Sequence, residues 1–455
     1  MPDKSERSGH TGRAKSPYGG WQAVVQRVQY GVMKSVAWLF LVLCVSTAFA
    51  SPQQAAEAPR VDARAAILMD RQSGMVLWSL NPDQELPMAS TTKIMTAMII
   101  LDRGRDRLHE AVTVSKHAFT VASGGSSQFA AGDTVTLGDL LKSALIRSSN
   151  EATTAAAEYL AGDEQTFIGW MNEKAQQLGL QHTHFTNPHG FTKPQYYAKN
   201  HYSSVRDLAL MAREALANYP EIRELVATRY AEARTSRLKH PLSLDNTNKI
   251  LGKEVPGIPG SRVDGVKTGY IKLSGQCFIG SATVKDWQLI AVLLDDKNRF
   301  EDALTLFHYG YTRYAWKTYA SASQPGLHVP IGLGAVPVVP LGVRGSLGAP
   351  VLRPEYGGST QDTVVFSGKG LRAPLVSGHP VGTLTLLRDG KPIASAPAIT
   401  LATVPMAWWV RAGTALLAVL VFLSLLVIAS AIYGTRTKNA RRRRRQLQAG
   451  GGGTD

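Results

Sequence analysis

Cysteine is almost missing from this chain: its 455 residues hold two, Cys44 and Cys277. Cys44 falls in an N-terminal apolar run that is expected to be removed, which leaves Cys277 alone. An exported chain with one cysteine forms no internal disulfide, so its core must hold the fold. Leu41-Val42-Leu43 precede Cys44 without the small residue that a lipid-attachment signal needs there. No His-Glu-x-x-His occurs, so the commonest zinc-peptidase motif is absent despite His182-x-His184. Internal repeats are lacking, and so is low-complexity sequence outside the tail. Acidic residues are scarce, giving a formal charge of +16, but the excess is unevenly placed. Residues 1–50 contribute +4 and residues 434–455 contribute +6. The long body between them is only mildly basic. Basicity at the two ends, beside apolar runs, is a topology signal and not a nucleic-acid footprint; no nucleic-acid partner is expected.

What is present at the ends fits that reading. Lys34 precedes the apolar run Val36–Val45, and Ala48-Phe49-Ala50 supplies a small-x-small cleavage site, the design of a secretory signal peptide over 1–50. Met33 is an alternative start, and a retained anchor is the other reading of the same run. Near the C-terminus, Thr414–Tyr433 runs about 20 residues without a charge, the length that one helix needs to cross a bilayer. Trp408 and Trp409 stand before it and Arg441–Arg445 after it. A span over 406–434 with a basic tail over 435–455 puts the tail in the cytoplasm, the body outside, and the cytoplasmic membrane among the partners.

Length allows two domains. A Pro/Ala/Gln linker covers 51–60. Strands are expected at Ala65–Asp70 and Val76–Leu80, joined through Arg71-Gln72-Ser73-Gly74, and again at Gln276–Thr283 and Gln288–Leu294. Helical spacing marks Ser90–Leu101, Leu137–Leu145, Glu151–Leu160, Val205–Ala217 and Phe300–Tyr309. Strands at both ends with helices between them imply an α+β domain over 61–316, an antiparallel sheet closed by the two chain ends around a helical insertion. Beyond about residue 318, Gly, Pro and Val take over. Short strands at Ala335–Val339, Thr363–Phe366, Thr383–Leu387 and Ile393–Ala394, with an Asp389-Gly390 turn, imply a small all-β domain over 317–405.

Three short motifs carry the chemistry. Ser90-Thr91-Thr92-Lys93 sets a Ser and a Lys three apart at a helix start, on one face. A hydroxyl needs a base, and a lysine serves when burial or a nearby cation lowers its pKa. Ser148-Ser149-Asn150, between two helices, offers a hydroxyl to relay protons and an amide to hold the lysine and a substrate amide. Lys267-Thr268-Gly269 precedes a strand; its Lys and Thr can bind a terminal carboxylate while glycine lets substrate lie along the strand edge. Singly the first two are weak: Ser236-Arg237-Leu238-Lys239 also fits the first and Ser79-Leu80-Asn81 the second. Lys267-Thr268-Gly269 occurs once, and three motifs in order are hard to assign to chance.

The set Ser-x-x-Lys, Ser-x-Asn, Lys-Thr-Gly resembles the penicillin-binding proteins and serine β-lactamases. Pro87–Ala97, Thr186-Asn187-Pro188-His189-Gly190 and Asp264–Tyr270 look like the low-molecular-mass D-alanyl-D-alanine carboxypeptidases. The resemblance covers roughly 60–315 and extends more loosely to Leu371–Leu375 and Val381-Gly382. It implies a β-lactamase-like fold, D-Ala-D-Ala stem peptides of peptidoglycan as substrate, β-lactam antibiotics as ligands, and no cofactor or metal. It further implies acylation of Ser90, Lys93 as general base, Ser148 and Asn150 as relay and positioning partners, Lys267 and Thr268 at the substrate carboxylate, and Gly269 among the substrate-binding residues. Backbone N–H groups of Ser90 and Tyr270 would form the oxyanion hole. Arg299 matches a family arginine beside the carboxylate site; a surface helix cap is the other reading. His189 is read as structural. One departure concerns the anchor, because the family's familiar ending lies on the membrane surface and this apolar stretch is long enough to cross it.

Rival readings remain. A β-lactamase shares the motifs, but Glu214-Ala215-Leu216-Ala217-Asn218 has the wrong spacing for the deacylating Glu-x-x-Leu-Asn. A D,D-endopeptidase, cutting cross-links, is scarcely separable by local sequence. A non-catalytic wall-binding scaffold has no need of the whole constellation.

Overall fold

The computed structural model describes residues 58–121, 128–191, 200–356 and 361–449. The expected signal peptide, most of the linker and the last tail residues lie outside them. Five antiparallel strands form the first sheet, in the order Val76–Leu80, Ala65–Asp70, Trp287–Asp296, Gly275–Val284, Ser261–Ile271. The N-terminal hairpin thus pairs with a strand more than 200 residues away, Ile67 facing Val292, which is the closure by both chain ends expected above.

Both faces of this sheet are covered, and the strand sequences show why. In Ala65–Asp70 every residue is buried. Ile67 and Met69 point into one apolar cluster with Ile290, Val292 and Ile279. Their neighbours Ala66 and Leu68 point into a second cluster with Leu289, Leu293 and Phe307 of the helix Arg299–Arg313. A strand side-chain period of two requires this when both faces are apolar. The first cluster also surrounds the helix Lys93–Gly104, ten of whose twelve residues are buried. A helix that is apolar nearly all round is a core helix. It carries Lys93 into the interior on its first turn.

The expected helix from Ser90 is two pieces. A 3-10 turn spans Ala89–Thr92, and the α-helix starts at Lys93. Leu137–Leu145 is likewise split, into an α-helix Leu137–Lys142 and a wider π turn Ser143–Arg147 that ends on Ser148 in a left-handed conformation, φ 68°. Helices at Glu164–Gln177 and Pro220–Ala227 were not foreseen.

Strand Tyr314–Ser321 follows Arg313 directly, runs across the expected 316/317 division, and pairs with Ser346–Leu352. The strands that follow residue 326, apart from Ser346–Leu352, build a six-stranded sheet with its own apolar cluster around Leu341, Leu384 and Leu386. The Asp389-Gly390 turn joins Pro380–Arg388 to Lys391–Thr400 as expected. The strand placed at Ala335–Val339 instead occupies Val338–Val343. Ala335 donates its N–H to Pro405 O, which draws Ala335–Pro337 into a loop. Trp408–Ala449 is one helix of 42 residues, long and apolar enough to cross a membrane.

Candidate active site

Fold and motif meet at Lys93. Its side chain is fully buried, at the base of the helix described above. Nζ lies 2.9 Å from Ser90 Oγ, 2.7 Å from Asn150 Oδ1 and 2.7 Å from His189 O. Burial, and after it the charge of Lys267, hold Lys93 well below the usual lysine range; buried Glu151 opposes them weakly. A neutral amine has two N–H bonds and one lone pair. The two carbonyl oxygens can only accept, so they take both N–H bonds and leave the lone pair facing the Ser90 hydroxyl. A hydroxyl set against a desolvated amine in this way is equipped to become a nucleophile.

Ser90 reaches this place through strained backbone. Ala89 before it has φ 47°, in the left-handed region. Thr91 and Thr92 turn their hydroxyls back onto Met88 O and Ala89 O at 2.7 Å, fixing the turn from within. The loop Asn187–Gly190 closes over it: Gly190 takes φ 77°, and a Cβ there would stand 1.9 Å from Ala89 O. The Thr96 hydroxyl donates to Pro188 O at 2.5 Å.

The second motif divides its roles by geometry. Ser149 caps the helix Asn150–Ala161 by accepting from Ala152 N at 3.1 Å. Asn150 turns its oxygen to Lys93, so its NH2 faces away. The Ser148 side chain is half-buried and has no hydrogen-bond partner among the described residues. It is therefore beside the lysine's partner Asn150 without being bonded to Lys93.

Lys267-Thr268-Gly269 lies inside the edge strand Ser261–Ile271 and does not precede it, a correction to the expectation. The strand is longer than its apolar pattern because every residue from Ser261 to Ile271, except Asp264 at a bulge, pairs with Gly275–Val284. Its other edge faces the Ser90 turn. A Cβ on Gly269 would be 3.1 Å from Ser90 N and 3.1 Å from Met88 O, so the bare backbone at 269 is what keeps this edge open to a substrate. Lys267 is buried, donates to Thr268 O at 3.0 Å, and has its pKa lowered to about 7, by burial first and by Arg299 second. The Thr268 hydroxyl is 2.6 Å from that of Thr247, a partner the sequence did not suggest. Tyr270 is 65% exposed.

Arg299 lies behind the Lys267-Thr268-Gly269 strand. Asn298 makes no side-chain cap, whereas Arg299 Nη1 donates to Gly269 O at 2.8 Å and to Cys277 O at 3.4 Å. Its contact is with the strand carbonyl behind the motif. The second Ser-x-x-Lys match, at Ser236, leaves Lys239 exposed in water and so lacks a desolvated amine. The residues that sequence reasoning missed act through less distinctive groups: a backbone carbonyl (His189), a hydroxyl (Thr247) and a buried carboxylate (Glu151), which accepts from Gln128 N at 2.6 Å. Among the described residues no cluster of three metal-ligating side chains occurs.

Known proteins are similar to this chain. The peptidase S11 profile, described as D-alanyl-D-alanine carboxypeptidase, matches residues 52–298. D-alanyl-D-alanine carboxypeptidase DacC of Escherichia coli is 34% identical over 80% of this chain and 90% of its own. DacF of Bacillus subtilis is 32% identical over 74% and 84%. A D-alanyl-D-alanine endopeptidase of Pseudomonas aeruginosa is 31% identical but spans 57% of this chain. Among solved structures, penicillin binding protein 5 of Haemophilus influenzae superposes with a TM-score of 0.59 at 28% identity, covering 77% of this chain and 99% of that one. The chain belongs to the peptidase S11 family of D-alanyl-D-alanine carboxypeptidases.

Proposed function

We propose that this protein removes the terminal D-alanine from peptidoglycan stem peptides through an acyl-enzyme on Ser90. The observation that carries the reading is the fully buried Lys93 amine, with two carbonyl acceptors and the Ser90 hydroxyl as its three neighbours. Ser90 Oγ attacks the carbonyl carbon of the penultimate D-alanine, and its proton passes to Lys93 Nζ. The carbonyl oxygen, now negative, is held by the backbone N–H groups of Ser90 and Tyr270. The C–N bond breaks as the leaving nitrogen gains a proton, for which the unbonded Ser148 hydroxyl is free to turn. D-alanine departs. Water then attacks the ester, and Ser90 recovers its proton.

Lys267, Thr268 and the Asn150 amide position the substrate. Lys267 and Arg299 form a cationic site, suited to a peptide that ends in a carboxylate. β-Lactams, which carry a carboxylate beside a reactive carbonyl, enter as acylating mimics. Endopeptidase action is the second reading. It is less favoured because the carboxypeptidase relatives align over 74–80% of this chain, β domain included, against 57% for the endopeptidase. The C-terminal helix crosses the cytoplasmic membrane with its arginines inside and the enzyme outside.

The test is release of D-alanine from a pentapeptide ending in D-Ala-D-Ala, with Ser90→Ala as control. Release lost in the variant, with penicillin bound covalently to Ser90, is the expected result. Penicillin labelling without release would move the assignment to cross-linked muropeptides, and neither from folded protein would end the catalytic reading.

A further inference from the structure

The β domain exposes apolar side chains at the place where the C-terminal helix leaves it. Leu333 is 39% exposed, Val336 46% and Val376 66%. They belong to two loops, 333–337 and 375–379, which are not adjacent in sequence. Both are tied to the segment that leads into the helix. Ala407 N donates to Leu333 O at 2.9 Å and Ala335 N to Pro405 O at 2.9 Å. Leu375 and Val404 exchange two bonds of 2.9 Å. Trp408, the first helical residue, is 80% exposed, and from Arg411 to Tyr433 every residue of the helix is exposed. The helix therefore departs from the domain at once and leaves the two loops around its root.

Large apolar side chains standing together in water are a cost unless something covers them. Here the covering surface is indicated by continuity and by charge. A helix that enters a bilayer at Trp408 brings residues one bond away from Ala407 to the level of the headgroups. Neither loop contains an Asp or Glu, and residues 317–405 carry seven Lys/Arg against three acids. Arg372, beside Gly332 in the sheet, and Arg411, in the first helical turn, flank the patch as cations. Apolar tips flanked by these two cations match the interface of an anionic bilayer, where buried apolar area and attraction to anionic lipid add.

We propose that loops 333–337 and 375–379 form a collar that docks into the headgroup layer of an anionic membrane, so that the β domain is seated on the lipid and does not swing on its helix. The inference rests on the membrane-spanning reading of that helix. Seating also fixes how far the active site stands from the membrane, a distance a flexible joint would leave undefined.

The test uses the full chain in liposomes of phosphatidylethanolamine and phosphatidylglycerol, with a Cys44→Ser change. Cys277 is buried and its thiol is pushed up to about 11, so it stays unlabelled. Single cysteines at Val376 and Val336 carry an environment-sensitive fluorophore; Lys391→Cys, at the far end of the hairpin, and Trp409→Cys serve as references. Spin-labelled lipid is expected to quench the Val376 and Val336 probes at least twofold more than the Lys391 probe. Quenching at Trp409 with Val376 and Val336 no different from Lys391 would overturn the collar and leave the span intact. Absence of quenching at Trp409 would overturn the span, and the collar with it.

Discussion

Lys93 and Lys267 occupy one site and need opposite charge states. As base, Lys93 acts when neutral, so turnover is present above its depressed pKa and is lost as pH falls through it. As carboxylate ligand, Lys267 acts when charged, so substrate capture is present below about 7 and declines as pH rises through that value in the free enzyme. A bell-shaped profile of kcat/KM follows, with Lys267 on its alkaline side. Lys267→Arg keeps the cation at every pH reached, and the alkaline limb should move up by more than one pH unit while the acid limb stays. An unmoved limb would assign it to another group. Gly190 is the second position at this scale. Gly190→Ala adds a Cβ 1.9 Å from Ala89 O at φ 77°, which displaces the His189 carbonyl from Lys93. We expect at least a tenfold slower acylation by penicillin, together with a destabilisation of about 1–3 kcal/mol in chemical denaturation. The two acceptors of Lys93 differ in how far the sequence announces them. Asn150 has a side chain of its own in a recognisable spacing. His189 contributes a backbone oxygen, which any residue carries, so only the loop's path reveals it.

Elements were legible where apolar period and function agree, as in Ala65–Asp70 and Lys93–Gly104. They were not where local geometry departs from a regular period. The 3-10 turn at Ala89–Thr92 looks helical by spacing because Ser90 and Lys93 share a face in either geometry. The π turn Ser143–Arg147 hides within a helical pattern for the same reason, although it is what swings Ser148 into position. Lys267-Thr268-Gly269 sits within its strand because polar residues pair with Phe278 and Ile279 as readily as apolar ones do. That strand also gives the prediction for this scale. Gly269→Ala places a methyl 3.1 Å from Ser90 N, Met88 O and Ala89 Cβ, against the turn that carries the nucleophile, without a left-handed φ to strain. The turn must give by a few tenths of an ångström, so penicillin acylation should fall by at least tenfold, a larger loss than that of thermal stability. Equal losses in both would mean that the glycine serves packing and not access.

Across the whole molecule, one hairpin joins the membrane end to the enzyme. Strand Pro380–Arg388 begins beside Gly378, which donates to Thr400 O next to the collar, and ends at Arg388. Arg388 is held by Asp362 through two bonds of 2.8 and 2.9 Å and donates to Pro350 O at 2.9 Å, while also meeting Sδ of Met75, just before the strand Val76–Leu80. At about 3.3 Å per residue this strand spans roughly 26 Å, a spacer between the proposed collar and the hairpin Ala65–Leu80 of the catalytic domain. Arg388→Ala removes charge-assisted bonds worth about 1.5–3 kcal/mol and should loosen that joint, read as faster proteolysis between the two domains with D-alanine release unchanged. The helix then continues for 42 residues, roughly 63 Å at 1.5 Å per residue, twice the hydrocarbon thickness of about 30 Å. In the proposed span its excess length emerges on the far side, carrying Arg441–Arg445 with it. Orientation is therefore testable with a reagent that does not cross membranes. A cysteine at Lys391 should react with an impermeant maleimide in intact spheroplasts, and one at Arg445 should react only after lysis. The reverse pattern would put the active site in the cytoplasm, away from peptidoglycan, and would remove its substrate along with its orientation.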